Sequence, residues 1–140
     1  MQIARATFAA VSWLFIALIA LQVFFAGLGP FGATDMALHR DFGYLVPLVA
    51  LLVLIAALAA RAGARTSWLA GGLLAITFIQ TSLPYFRDGL PFVAALHPVN
   101  ALLIFWLGLV IARRATALYR APVDAEPGAT EAPAPDIARA

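Results

Sequence analysis

FGYLVPLVALLVLIAALAA, residues 42–60, is nineteen residues without a charge, closed by Asp41 on one side and Arg61 on the other. A bilayer core of ~30 Å needs about 20 helical residues, so this stretch alone can cross once. Working outward, the charges isolate three more such runs, 6–34, 66–86 and 89–112, of 29, 21 and 24 residues. The spacing predicts helices near 7–29, 40–61, 66–86 and 94–114. Helices satisfy every backbone hydrogen bond internally, as hydrocarbon demands. The fold expected is all-α: an integral membrane four-helix bundle, up-down, made of two repeated helical hairpins. It occupies residues 1–120.

Composition agrees. Of 140 residues, 64% are hydrophobic and 11% charged, where soluble domains hold about 45–50% and 25%; the mean hydropathy is +0.94. Nine arginines and no lysine oppose seven acids. The arginines are scattered rather than patched, which argues against a nucleic-acid partner; the partner expected is the lipid bilayer. The absence of cysteine excludes disulfides, iron–sulfur clusters and thiol nucleophiles.

The first run is too long for a signal-peptide core of about 7–15 residues, and is read as a retained helix. With the N-terminus cytoplasmic, Arg5, Arg61, Arg65, Arg113, Arg114 and Arg120 lie inside, against Arg40 and Arg87 outside. The positive-inside rule therefore places both termini in the cytoplasm. Trp68, Tyr85 and Tyr119 fall at span ends, where amphipathic rings prefer the interface. Residues 121–140, ending PVDAEPGATEAPAPDIARA, turn abruptly to Pro, Ala and acids and are expected to form a disordered cytoplasmic tail.

An offset of 58 residues lays the second half on the first. Gln22 falls on Gln80, Ala37-Leu38-His39 on Ala95-Leu96-His97, and Gly43 on Ala101. These are the only two histidines and two of the three glutamines, with a Gln-to-His spacing of 17 in both halves. Repeated halves in membrane proteins commonly meet at the binding site. His39 and His97 start the second and fourth helices, which are diagonal in an up-down bundle, so both imidazoles can point inward at one height. Side chains on facing helices hold cofactors in bundle cores, and two neutral imidazoles can supply both axial ligands of a haem iron.

Haem b is thus the cofactor expected, with His39 and His97 as the iron ligands. Gly43 and Ala101, one turn deeper on the same faces, leave room for a flat macrocycle. The bland alternative for each histidine is a wet interfacial side chain, or one bonded at a helix terminus. Gln22 and Gln80 are read either as acceptors that orient the imidazoles or as helix–helix glue, and Asn100 has the same two options. Arg40 and Arg87 either meet haem propionates or pair with Asp35, Asp41 or Asp88. Pro47 frees the Gly43 carbonyl and bends the second helix; Pro98 frees the Ala94 carbonyl or simply starts a helix. Gly71-Gly72 is expected to let the third helix approach a neighbour closely. No Walker loop, GxGxxG, HExxH or metal-ligand spacing is present, so an enzyme is the least favoured class.

The segments QVFFAGLG (22–29), LHRDFGYL (38–45) and LHPVNALLIF (96–105) resemble a family of small bacterial four-helix membrane proteins of unknown function, over about residues 3–115. That resemblance implies the bacterial inner membrane. More distantly, the layout is similar to one half of the haem A synthase family, whose halves each carry one histidine on the second helix and one on the fourth, at the extracytoplasmic side. His39-Arg40 resembles its His-Arg pair, and His97 takes the fourth-helix place. Where that family's substrate half has a catalytic Glu shortly before the pair, this chain has Asp35, which implies a cofactor-holding half rather than haem oxidation. The functions open at this point are a b-type haem protein for electron transfer or haem handling, and an accessory or structural subunit of a larger membrane complex or homo-oligomer.

Overall fold

A computed structural model describes residues 1–122. The expected tail therefore falls almost wholly outside the described residues. Within them the chain is helical throughout: α1 (Gln2–Leu28), α2 (Ala37–Gly43), α3 (Leu45–Ala59), α4 (Ala64–Ser82), a 3-10 turn (Leu83–Phe86), α5 (Pro91–Ala94) and α6 (Leu96–Arg120). They combine into four spans long and apolar enough to cross a membrane: Gln2–Leu28, Ala37–Ala59, Ala64–Phe86 and Pro91–Arg120.

The first and last spans run past the expected 7–29 and 94–114 because helix propagation is local and tolerates arginine. Their interfacial ends are also tied together. Arg5 Nη1 donates to the carbonyls of Leu118 and Ala121, and Gln2 Nε2 to that of Tyr119. Leu118 and Tyr119 carry two of α6's last carbonyls, which lack intrahelical donors, and Ala121 is its C-cap; a guanidinium there also suits the negative end of the helix.

The spans form a ring in which α1 packs on α3 and α6, and α4 packs on α3 and α6. The second and fourth spans are diagonal. Their core is built from Phe8, Phe15, Val53, Leu73, Ile104 and Ile111, with Ala50, Ala57, Ala70, Ala112 and Ala115 where helices approach. At Gly108 a Cβ would stand 3.0 Å from the Phe15 ring, so α1 and α6 meet where α6 has no side chain. Small interface residues of this kind let dispersion contacts hold helices together in lipid, where the hydrophobic effect gives no drive. Only 22–33% of each span's most apolar window is buried; the rest is an apolar belt that water would not tolerate. The protein is a multi-pass membrane protein.

One sequence expectation is corrected. Nothing of the described chain comes within 4 Å of a Cβ built at Gly71 or Gly72, so this pair mediates no close approach inside the bundle. Gly72 is exposed, and Gly71 borders a shallow groove whose far wall is Leu54 and Leu58 of α3.

Both prolines break their spans three residues upstream. Pro47 sits in the first turn of α3 and the break is at Tyr44; Pro98 sits in the first turn of α6 and the break is at Ala95. Each ring removes the N–H that would have closed the bond to the residue four before it. Under the 58-residue offset the two prolines do not correspond, so His39 lies on the short α2 and His97 on the long α6.

Candidate functional site

The end of the bundle opposite the N-terminus gathers His39, His97, Gln22, Gln80 and Asn100. His39 Nδ1 lies 3.1 Å from the Gln22 main-chain oxygen, and His97 Nδ1 lies 3.0 Å from that of Gln80. A carbonyl oxygen only accepts, so in the neutral rings each Nδ1 carries the hydrogen and each Nε2 keeps its lone pair. The two half-buried imidazoles face one another with centroids 6.0 Å apart and planes at 79°. Each hairpin thus repeats one device: the histidine at the start of the second span donates to the carbonyl seventeen residues earlier on the first.

The glutamines therefore meet the histidines through their backbone, not through their side-chain amides as one reading of the sequence expected. Spacing alone conceals this, because a helical carbonyl has a second lone pair available beyond its intrahelical bond. The amides behave differently in the two halves. Gln80 Oε1 accepts from Asn100 Nδ2 at 2.9 Å, and the same Nδ2 donates to the Ile76 carbonyl at 3.0 Å. Gln22 is 6% exposed and both of its amide atoms lack a partner among the described residues. Its Nε2 stands 3.7 Å from where a Cβ on Gly43 would be, one turn beneath His39.

The asymmetry has a source in sequence. The 58-residue counterpart of Asn100 is Phe42, which cannot bond an amide and instead packs edge-on against Phe25 at 5.0 Å. The interplay of Phe25 with Phe42 has no signature in spacing, since aromatic residues in a span read equally well as lipid-facing.

Arg40 pairs with Asp41 at 3.0 Å and Arg87 with Asp88 at 3.3 Å, all highly exposed. Among the described residues neither arginine side chain hydrogen-bonds a histidine. Asp35 Oδ1 accepts from the Ala37 N–H at 2.9 Å and so steadies the entry into α2. At the same end, the Tyr44 and Tyr85 hydroxyls lie 3.3 Å apart, joining the second span to the third; sequence reasoning placed Tyr85 at the interface but missed this contact.

Chemically, with each Nδ1–H given to a carbonyl, the pair offers two Nε2 lone pairs as nitrogen donors. Imidazole bonds to first-row metals measure about 2.0–2.1 Å, so two rings aimed at one ion have centres roughly 6 Å apart. A ligating histidine almost always donates its other N–H to a carbonyl, carboxylate or water, as both do here. Among the described residues no group of three or more His, Asp or Glu side chains gathers, so a metal held by protein alone would have only these two ligands. A metal that brings its own equatorial ligands fits the donor set better.

In comparisons with known proteins, the model of a family of unknown function (DUF6220) matches residues 22–85. The match begins at Gln22, includes His39, and ends before His97. No curated protein and no solved structure matches the chain, so the comparisons add nothing to the likeness with haem A synthase.

Proposed function

We propose that this small membrane protein binds one haem b through His39 and His97, for electron transfer or haem handling. The observation that carries the reading is the matched pair of Nδ1–H···O=C bonds, which leaves two Nε2 lone pairs on rings 6.0 Å apart. A haem held by His39 and His97 would supply one-electron chemistry. The chain's own residues have definite parts. The Gln22 and Gln80 carbonyls fix tautomer and ring orientation, and Asn100 holds the Gln80 side chain in place. Gly43 and Ala101 add little bulk of their own one turn beneath the imidazoles, where the Gln22 amide stands beside Gly43, and Arg40 can exchange Asp41 for a propionate.

The site is placed at the extracytoplasmic face of a bacterial inner membrane, with both termini cytoplasmic. Support for this comes from the six-to-two arginine distribution, with Arg40 and Arg87 alone on the histidine side.

The decisive measurement is the visible spectrum of protein expressed with ample haem and purified. A Soret band, with sharpened α and β bands on reduction, is expected; its absence ends the proposal. His39→Ala combined with His97→Ala should abolish the band, and a band that survives both changes is equally fatal. Ligation requires neutral imidazole, so acidification that protonates the rings should release the haem.

A second reading, an accessory subunit or homo-oligomer, has one observation in its favour. A Cβ at Gly71 or Gly72 would meet nothing of the described chain within 4 Å, and Gly72 is exposed, so this part of α4 has room for a partner helix. On that reading the protein purifies in a larger assembly without a Soret band, and the histidines serve only as interfacial hydrogen-bond donors.

A further inference from the structure

The two hairpins are alike in their histidines and unlike in the space beside them. In the second half, a groove of about 240 Å³ opens on the bilayer side of α4 and α6, lined by Ile79, Leu83, Leu96, Val99, Asn100 and Leu103. In the first half the counterparts of Leu83 and Asn100 are Phe25 and Phe42, and their rings pack together at 5.0 Å. The groove borders the half that carries His97, one turn from Asn100 on α6, where the first half has an aromatic pair instead.

Five of its six lining residues are apolar and all lie in membrane spans, so its occupant must come from the lipid phase. The sixth gives it chemistry. Asn100 spends its Nδ2 on Gln80 and Ile76, and no hydrogen bond among the described residues reaches its Oδ1. An acyl chain has no use for a carbonyl acceptor, whereas a ring hydroxyl does. Asn100 is also coupled to the histidine: it binds the Gln80 side chain, and the Gln80 carbonyl holds His97 Nδ1.

We infer that this groove takes the ring of a lipid-soluble hydroquinone, with a ring hydroxyl donating to Asn100 Oδ1, and that the hydroquinone reduces the His39–His97 centre. The inference rests on the haem reading above. One hydroquinone gives one electron to each of two ferric haem irons, on two copies of the protein. Its two O–H bonds break, two protons pass to water at the outer face, and a quinone and two ferrous haems result.

The test uses the full chain in phosphatidylcholine nanodiscs, with decylubiquinol as reductant and an azidoquinone as photoprobe. Leu103→Trp and, separately, Val99→Trp fill the groove without touching a histidine. In both, the Soret band and reduction by dithionite should be unchanged while reduction by decylubiquinol slows about tenfold or more, the equivalent of 1.4 kcal/mol. Equal rates in wild type and both variants overturn the inference. Photolabelling is read on the haem-free His39→Ala/His97→Ala protein, so that it does not depend on cofactor. Label within residues 96–103, displaced by decylubiquinone and lost in the filled variants, supports the groove. Label that is absent, elsewhere, or not displaced by decylubiquinone overturns it and leaves the groove to an acyl chain. A missing Soret band with groove labelling intact removes the haem reading and the electron transfer, but not the quinone site.

Discussion

Gln22 and Gln80 share a place in the repeat and differ in what their amides meet, so one substitution should act on them in opposite directions. An unbonded buried amide costs about 1–3 kcal/mol, and among the described residues Gln22 has no partner for either amide atom. Gln22→Leu should therefore raise the melting temperature of the haem-free protein in detergent. Gln80→Leu removes the acceptor of Asn100 and should lower it, by about 0.6–1.5 kcal/mol. Like shifts in both variants would contradict the asymmetry. The histidine pair was legible at this scale from two rare residues at a common offset. Its hydrogen bonds were not, because their acceptors are main-chain oxygens that every residue carries.

At the scale of the element, two glycines in helices make contrasting predictions. A Cβ at Gly108 meets the Phe15 ring at 3.0 Å and Ile16 Cδ1 at 3.1 Å. Gly108→Ala should therefore force α1 and α6 apart at a cost of about 1–3 kcal/mol. At Gly72 nothing stands within 4 Å, and Gly72→Ala should gain up to about 1 kcal/mol of helix propensity. Thermal unfolding of the two variants checks both signs. The hairpin between α3 and α4 carries a further contrast. Arg61 adopts φ 51°, and the Arg61 and Ala62 N–H groups donate back to Leu58 and Ala57, a helix ending that glycine usually makes. Arg61→Gly should thus stabilise the hairpin by up to about 1 kcal/mol, while Gly63→Ala, at φ 82°, should destabilise it by about that much or more.

For the whole molecule, the prediction is topological. Reporter fusions should place the 61–65 loop and the C-terminal end of α6 on the cytoplasmic side, and the 29–36 and 87–90 loops on the other. Moving the arginine balance should matter: exchanging both Arg61 and Arg65 for Gln weakens the inside bias of the central hairpin, and a mixed orientation of that loop is expected. An outside location for the 61–65 loop in the unaltered protein would refute the orientation. The histidine site would then face the cytoplasm.

Four spans, a bend before Pro47, and the duplicated histidines follow from the sequence by itself. Each depends on properties the chain carries locally: the length of an uncharged run, the N–H that proline lacks, and a rare residue recurring at one offset. Tertiary structure decided the rest. How much room is left beside Gly71-Gly72 on α4, which glutamine finds an amide partner, and whether the space beside each histidine is filled by Phe25 and Phe42 or left open at Leu83 and Asn100 are all set by where the neighbouring helices stand. In a span that is apolar on every side, periodicity distinguishes lipid from core poorly, because hydrocarbon and protein interior make the same demand on a side chain. Only the positions of neighbouring helices separate the two.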